Sequence, residues 1–161
     1  MENHFASHIE SPIGKITILA GDDFVFKITF SEIDLTCLHE NLLTQKVAMQ
    51  LQLYFHGTLK YFDFPIKQKG TEFQQEVWQK LSNIPYAQTV SYTKFSIHKP
   101  LAIRAIAAAN GKNNLAIVIP CHRVIGSNGK LVGYAGGLWR KKWLLQHEKE
   151  IAKIGQTELR F

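Results

Sequence analysis

Cys121, His122 and Arg123 stand consecutively in AIVIPCHRVIG, at the end of one of the most apolar runs in the chain. A cysteine becomes a strong nucleophile when it is held as thiolate, and a nearby base or cation lowers its pKa from about 8.5. Adjacency in sequence guarantees proximity but not geometry. Consecutive side chains on an extended strand point to opposite faces, so contact between Cys121 and His122 requires a turn at Pro120-Cys121-His122, or a bridging water. The imidazole then needs a third group to hold its tautomer, and Glu148, beside His147, is the candidate. By spacing alone the pair is also compatible with a buried structural cysteine.

The rest of the chain must build the platform for that thiol. Its 161 residues, 45% of them hydrophobic, suit one compact unit or two small ones sharing an interface. No apolar run approaches the roughly 20 residues of a membrane helix, and MENHFASHIE lacks a basic segment followed by an apolar core. A cytoplasmic location, or a nuclear one in a eukaryote, is the expectation. The two cysteines, Cys37 and Cys121, supply no disulfide framework and no Cys-x-x-Cys, and Cys37 reads as a core or surface thiol. His4, His8, His39 and His56 have only Cys37 near them, an incomplete set for structural zinc, so neither metal nor cofactor is expected.

Charge is unevenly placed. Residues 1–70 carry 6 Lys and 8 Asp+Glu, a net of −2, while residues 71–161 carry 13 Lys+Arg and 5 Asp+Glu, a net of +8. A polyanion such as nucleic acid suits the second half, as does a merely solvated basic face.

GKITILAGDDFVFKITF alternates apolar and polar residues, with Gly21-Asp22-Asp23 as hairpin turn. KVAMQLQLYFHG then has helical spacing at Val47, Leu51, Tyr54 and Phe55, with Gly57 as its stop. After PIKQKG, Thr71 and Gln74 form a capping-box pattern opening a helix with Phe73, Val77, Trp78 and Leu81 on one face. Two shorter helical segments follow, SYTKFSIH with Ser91 as cap and PLAIRAIAAANG with Gly111 past its end, and together they suggest a helix-turn-helix. The second is small on one side: Ala102, Ala105, Ala107, Ala108 and Ala109 leave a surface from which Arg104 projects, while Leu101, Ile103 and Ile106 favour a core face. LAIVIP reads as a buried strand, GSNGKLVGYAGG as a glycine-rich loop and LWRKKWLLQHE as a last helix, whose Arg140, Lys141 and Lys142 fit a solvated or polyanion-facing surface. Trp78 and Trp143 read as helix-packing residues. His98 and Lys99 fit phosphate or solvent equally.

IPCHRVIGSNGKLVGYAGG followed by WLLQHE closely resembles the O6-alkylguanine-DNA alkyltransferases, also called methylated-DNA-protein-cysteine methyltransferases. Agreement continues through TEFQQEVWQKLSNIPYAQTVSYTKF and RAIAAANGKNN, covering essentially residues 71–148, and the first half is similar to the family's N-terminal domain through weaker motifs. The resemblance implies an α/β N-terminal domain over 1–70, a small antiparallel sheet plus helix of ribonuclease H-like type. A mainly α, winged-helix-like DNA-binding domain over 71–161 would carry the active site.

It further implies direct damage reversal, in which an O6-alkylated guanine is flipped from duplex DNA and its alkyl group, methyl above all, passes to sulfur; O4-alkylthymine is a second substrate. Cys121 would be the acceptor, His122 the base acting through water, Glu148 its orienting carboxylate and Asn113 the brace of the active-site turn. Tyr92 would assist protonation of the departing guanine and help turn the nucleotide outward. Arg104 would fill the vacated stack, with Ala105, Ala108 and Arg123 also facing DNA. Tyr134 would wall the pocket, the Ala135 N–H would face O6, Gly136 would keep the pocket open, and the carbonyls of Cys121 and Val124 would read the exocyclic amine.

Extruding the base costs a few kcal/mol, and small alanines would let a helix enter the minor groove. Attack at an alkyl carbon leaves a thioether with no acyl carbon for water, so each molecule, acting as a monomer, would react once. Ala135 stands where many relatives carry serine, and the stretch from Tyr92 to Arg104 is short, altering the turn between the two helices. Two other readings cover part of the pattern: a winged-helix lesion sensor whose Cys121 is inert, and a thiol hydrolase that would turn over.

Overall fold

The computed structural model describes residues 3–36 and 38–158, as backbone alone from 155 on. Cys37 therefore lies outside the described residues. The chain divides into two compact units, one formed by the residues up to Lys69 together with Asn114–Val118, the other by Gly70–Asn113 and the residues from Ile119.

In the first unit, β1 (Phe5–Ser11), β2 (Gly14–Ala20) and β3 (Val25–Thr29) form an antiparallel sheet in the order β1-β2-β3. The register runs from Phe5 opposite Ala20 to Ser11 opposite Gly14, then from Thr17 opposite Thr29 to Ala20 opposite Val25 across a bulge. The hairpin read at Gly21-Asp22-Asp23 is closed by the Gly21 N–H donating to the Phe24 carbonyl at 2.9 Å. Ile16, Ile18 and Ala20, at alternate positions of β2, share one buried face. Helix α1 (Leu42–Phe55) packs on β1 and β2 and buries Val47, Leu51 and Tyr54. It starts at Asn41, whose side chain accepts from the Thr44 N–H at 2.8 Å while the Thr44 hydroxyl accepts from the Asn41 N–H at 3.1 Å, satisfying two otherwise orphaned donors. Ser7 donates to the same Thr44 hydroxyl, pinning the helix start to β1.

LAIVIP is not a strand. Asn114 and Ala116 bracket Ile28 with two backbone bonds, of 2.8 and 3.1 Å, giving one parallel rung between Ile28 and Leu115. Ile117 then takes φ 72°, a left-handed conformation that a β-branched residue resists, and the extended run ends there. The apolar pattern reflects burial of Leu115, Ile117 and Ile119, not pleating.

The second unit is mainly helical. Helix α2 (Glu72–Ser82) has both bonds of the Thr71/Gln74 capping box and buries Val77, Trp78 and Leu81, with Phe73 only half-buried. Trp78 donates its indole N–H to the Ala109 carbonyl at 2.9 Å, binding α2 to a later helix. A Cβ at Gly70 would stand 2.5 Å from the Trp78 ring, so only glycine fits beneath it. Strand β4 (Val90–Ser91) leads into α3 (Tyr92–Phe95), capped by Ser91. A 3₁₀ turn at Pro100–Ala102 then opens α4 (Ile103–Gly111), of which Gly111 is the last residue and not the one beyond it. Strand β5 (Val124–Ile125) pairs in parallel with β4, and α5 (Leu138–Glu158) completes the unit.

Candidate active site

The turn that Cys121 and His122 need is present. Pro120 leads into a 3₁₀ turn, Cys121–Arg123, in which the Cys121 N–H donates to the Ile119 carbonyl at 2.8 Å and the Arg123 N–H to the Pro120 carbonyl at 3.0 Å. Asn113 donates its side-chain N–H to the Ile119 carbonyl at 3.0 Å, and its side chain also hydrogen-bonds the thiol. Cys121 is half-buried and reduced. Burial raises its thiol pKa above the ordinary value, against the weaker pull of the Asn113 bond and the Lys141 charge. The resting group is therefore a thiol, and a nucleophile forms only if something removes the proton.

His122 is fully buried behind it. Its Nε2 lies 2.7 Å from Glu148 Oε2. Glu148 is also fully buried and is held ionised: burial pushes its pKa up, but the bonds and charges of His122 and Arg123 outweigh that and bring it well below the carboxylate range. Burial lowers the His122 pKa despite its carboxylate partner, so the resting imidazole is neutral. A carboxylate only accepts, so the single ring proton sits on Nε2 and Nδ1 carries the lone pair. Nδ1 is buried and, among the described residues, has no hydrogen-bond partner, so its lone pair is open to a proton.

Arg123 occupies a different place from the DNA-facing one inferred from sequence. It is buried; Nε and one terminal nitrogen donate to Glu148 at 2.9 and 3.0 Å, and the other donates to the Ile84 carbonyl at 2.8 Å. With each of its three nitrogens donating inward, it clamps the carboxylate. The Ala87 N–H adds a fourth donor to Glu148 at 3.1 Å, presented by a left-handed backbone at φ 65°.

Lys141 departs further from expectation. It is neither solvated nor turned to a polyanion: it is fully buried, its ammonium donating to the carbonyls of Val124 and Val132 at 2.7 Å each and of Gly133 at 3.4 Å. Burial lowers its pKa to about 8, with the Cys121 charge acting the other way. It ties the glycine-rich loop to the strand that follows the thiol. Arg140 donates to the Gly136 carbonyl at 2.8 Å, fixing the same loop. In that loop Tyr134 has its hydroxyl oxygen buried, and burial, then the Cys121 charge, push its pKa far up. Ala135 is exposed.

On the helix-turn-helix, Tyr92 is half-buried at the start of α3, and its ionisation is opposed by burial and by the Cys121 charge. Asn110, not singled out from the sequence, donates to the Tyr92 hydroxyl at 2.7 Å. Along α4, Ile106 and Ala109 are buried, whereas Arg104, Ala105, Ala107 and Ala108 are exposed. Leu101, expected on the core side, is fully exposed beside them. His98 is exposed too, and Lys99 lies 3.5 Å from Glu76. Trp143 stacks on His147, with ring centroids 4.7 Å apart.

The geometry defines a class first: a protein with a thiol nucleophile at rest, backed by an imidazole and a buried carboxylate, on a helical unit with a small-residue helix open to solvent. Comparison with known proteins makes the assignment specific. Residues 5–68 match the model of the ribonuclease-like domain, and residues 72–150 that of the DNA-binding domain, of 6-O-methylguanine DNA methyltransferase. A methylated-DNA–protein-cysteine methyltransferase of Methanosarcina barkeri is 45% identical over 150 residues, covering 88% of this chain and 94% of its own. The Mycobacterium tuberculosis relative of the same name is 41% identical over 156 residues, covering 92% and 94%. The crystal structure of Mycobacterium tuberculosis OGT in complex with DNA superposes with TM-score 0.81 at 40% identity, covering 92% of this chain and 94% of that one. The chain belongs to the 6-O-methylguanine DNA methyltransferase family. Its activity is that of a DNA repair methyltransferase, moving a methyl group from methylated DNA to a protein cysteine.

Proposed function

We propose that the chain repairs duplex DNA by moving an alkyl group from O6 of guanine, and from O4 of thymine, to Sγ of Cys121, once per molecule. The observation that carries this reading is the bare, buried Nδ1 of His122, whose tautomer Glu148 fixes from the other side of the ring. A thiol whose pKa is raised stays protonated and harmless until substrate arrives. His122 then takes its proton through a water, and Glu148, held by Arg123 and the Ala87 N–H, stabilises the imidazolium that forms. The S–C bond forms as the C–O6 bond breaks. Water has no acyl carbon to attack in the resulting thioether, so the site stays blocked.

Residues 71–161 do this chemistry and 1–70 act as scaffold. The exposed alanines of α4, Ala105 and Ala108 above all, let that helix lie in the minor groove, where Arg104 enters the gap left by the flipped nucleotide. Tyr134 walls the pocket beside the Ala135 N–H, Gly136 leaves it open, and the carbonyls of Cys121 and Val124 hold the exocyclic amine. Val124 already accepts from Lys141 and has one lone pair left for the base. Asn113 braces the turn and Tyr92 gives a proton to the departing purine. The partner is double-stranded DNA, met by a monomer in the compartment that holds the DNA, the cytoplasm of a prokaryote or the nucleus of a eukaryote.

The test is repair under excess lesion: a duplex whose O6-methylguanine blocks a restriction site becomes cleavable up to a plateau of one duplex per chain. Continued turnover would identify a hydrolase, and tight binding without repair a lesion sensor.

A further inference from the structure

We infer that Asn110 is a positioning residue for proton delivery, fixing Tyr92 as a donor into the pocket and steadying the phenolate that delivery creates. The inference rests on the transfer reaction proposed above. Asn110 lies on the buried side of α4, facing away from the exposed alanines, and donates its amide N–H to the Tyr92 hydroxyl oxygen at 2.7 Å. A phenol has one proton and an oxygen that accepts. When the oxygen receives an N–H from one side, its own proton must point elsewhere. A buried amide oxygen in that position would do the opposite and draw the proton inward.

The chemistry explains why the orientation matters. As Sγ forms its bond to the alkyl carbon, the C–O6 electron pair moves into the purine and spreads over its ring nitrogens. Tyr92 passes its proton to one of them and becomes a phenolate. The proton that left Cys121 for His122 restores the phenol through solvent, so in net terms the thiol has lost one proton, guanine has gained one, and charge balances. Burial and the Cys121 charge oppose a charge on Tyr92, and the Asn110 bond is the contribution acting in its favour. Hydrogen bonds to a charged acceptor are roughly twice as strong as neutral ones, so the contact strengthens as the proton leaves. It is thus worth more in the transition state than at rest.

The experiment is single-turnover transfer from duplex O6-methylguanine with Asn110→Leu, Asn110→Asp, Tyr92→Phe and the double variant Tyr92→Phe/Asn110→Leu, all checked for a wild-type melting profile. N110L should slow transfer about tenfold or more, within the range of acid–base assistance, and N110D, which accepts the phenolic proton, at least as much. In the Tyr92→Phe background N110L should change nothing further. Duplexes in which carbon replaces purine ring nitrogen 1, 3 or 7 supply the chemical readout: with one of them wild type and N110L should react equally fast. Equal slowing on all three analogues, an added loss in the double variant, or no slowing on O6-methylguanine would overturn the inference. Failure of the wild type to accept the methyl group would instead overturn the transfer reading.

Discussion

Nε2 of His122 lies 2.7 Å from Oε2 of Glu148, with both side chains fully buried, so the imidazole is a neutral base held from behind by an ionised acid. The carboxylate accepts from His122, Arg123 and the Ala87 backbone together, which is how it remains charged away from water. Orientation and electrostatics of the base thus depend on one residue far along the chain.

Glu148→Gln keeps the shape and removes the charge. It should lower the single-turnover transfer rate by about 10²- to 10⁴-fold, in line with neutralising the orienting acid of other triads. It also strands the buried Arg123, so unfolding in urea should show a loss of about 3–5 kcal/mol. A slow but fully stable variant would mean that Arg123 is not held by this carboxylate.

Acid should destabilise the fold in two stages. His122 has its folded pKa below 6.5, so the unfolded chain binds a proton the native state refuses, and the stability present above 6.5 declines as pH falls below it. Glu148 has its pKa depressed from 4.5, so a second loss begins near that value and runs toward its folded pKa. Melting temperature measured from pH 8 to 3 should fall with a break near each value, and the upper break should vanish in His122→Gln.

Thiol reactivity separates resting chemistry from substrate-assisted chemistry. With its pKa raised by burial, Cys121 should react with iodoacetamide at a rate that still climbs above pH 9. Methyl transfer from DNA should be far less dependent on pH between 7 and 9, because the base acts only with substrate bound. A flat iodoacetamide profile near neutrality would show a pre-formed thiolate.

Lys141→Met removes a cation that bonds three carbonyls. Leaving them without a donor should cost about 1–3 kcal/mol for each that solvent cannot reach. The midpoint in urea should drop, and protease should cut the 126–137 loop first.

Arg104→Ala should leave the melting temperature unchanged, since Arg104 is exposed, but weaken lesion-duplex binding about tenfold and flatten its salt dependence. Ala108→Leu on the same face should also weaken binding without affecting the fold.

Local signals were legible where they depend on a few neighbouring residues. The Thr71/Gln74 cap, the hairpin at Gly21 to Asp23 and the exposed small face of α4 all follow from short patterns, whereas the turn at Cys121 is only what direct contact with His122 would require. What sequence could not display was the destination of long side chains. Arg123 and Lys141 are charged residues of types that usually reach solvent, and Lys141 lies in an Arg-Lys-Lys run; only the fold supplies the carboxylate and carbonyls that make their burial tolerable. Strand β1 escaped notice because its buried positions include Ala6 and Ser7, which carry no strong period, and Asn110 because an amide between Ala109 and Gly111 resembles a helix end. The 114–118 segment misleads for another reason: burial and strand formation give the same apolar run.

The central claim is that Cys121 receives the alkyl group and keeps it. Intact mass after incubation with duplex DNA carrying one O6-methylguanine, beside Cys121→Ala, followed by peptide mapping, tests it most directly. The account predicts a gain of one methyl group per chain, on Cys121, absent in the variant. A gain at another residue, or an unmodified protein beside repaired DNA, would contradict it.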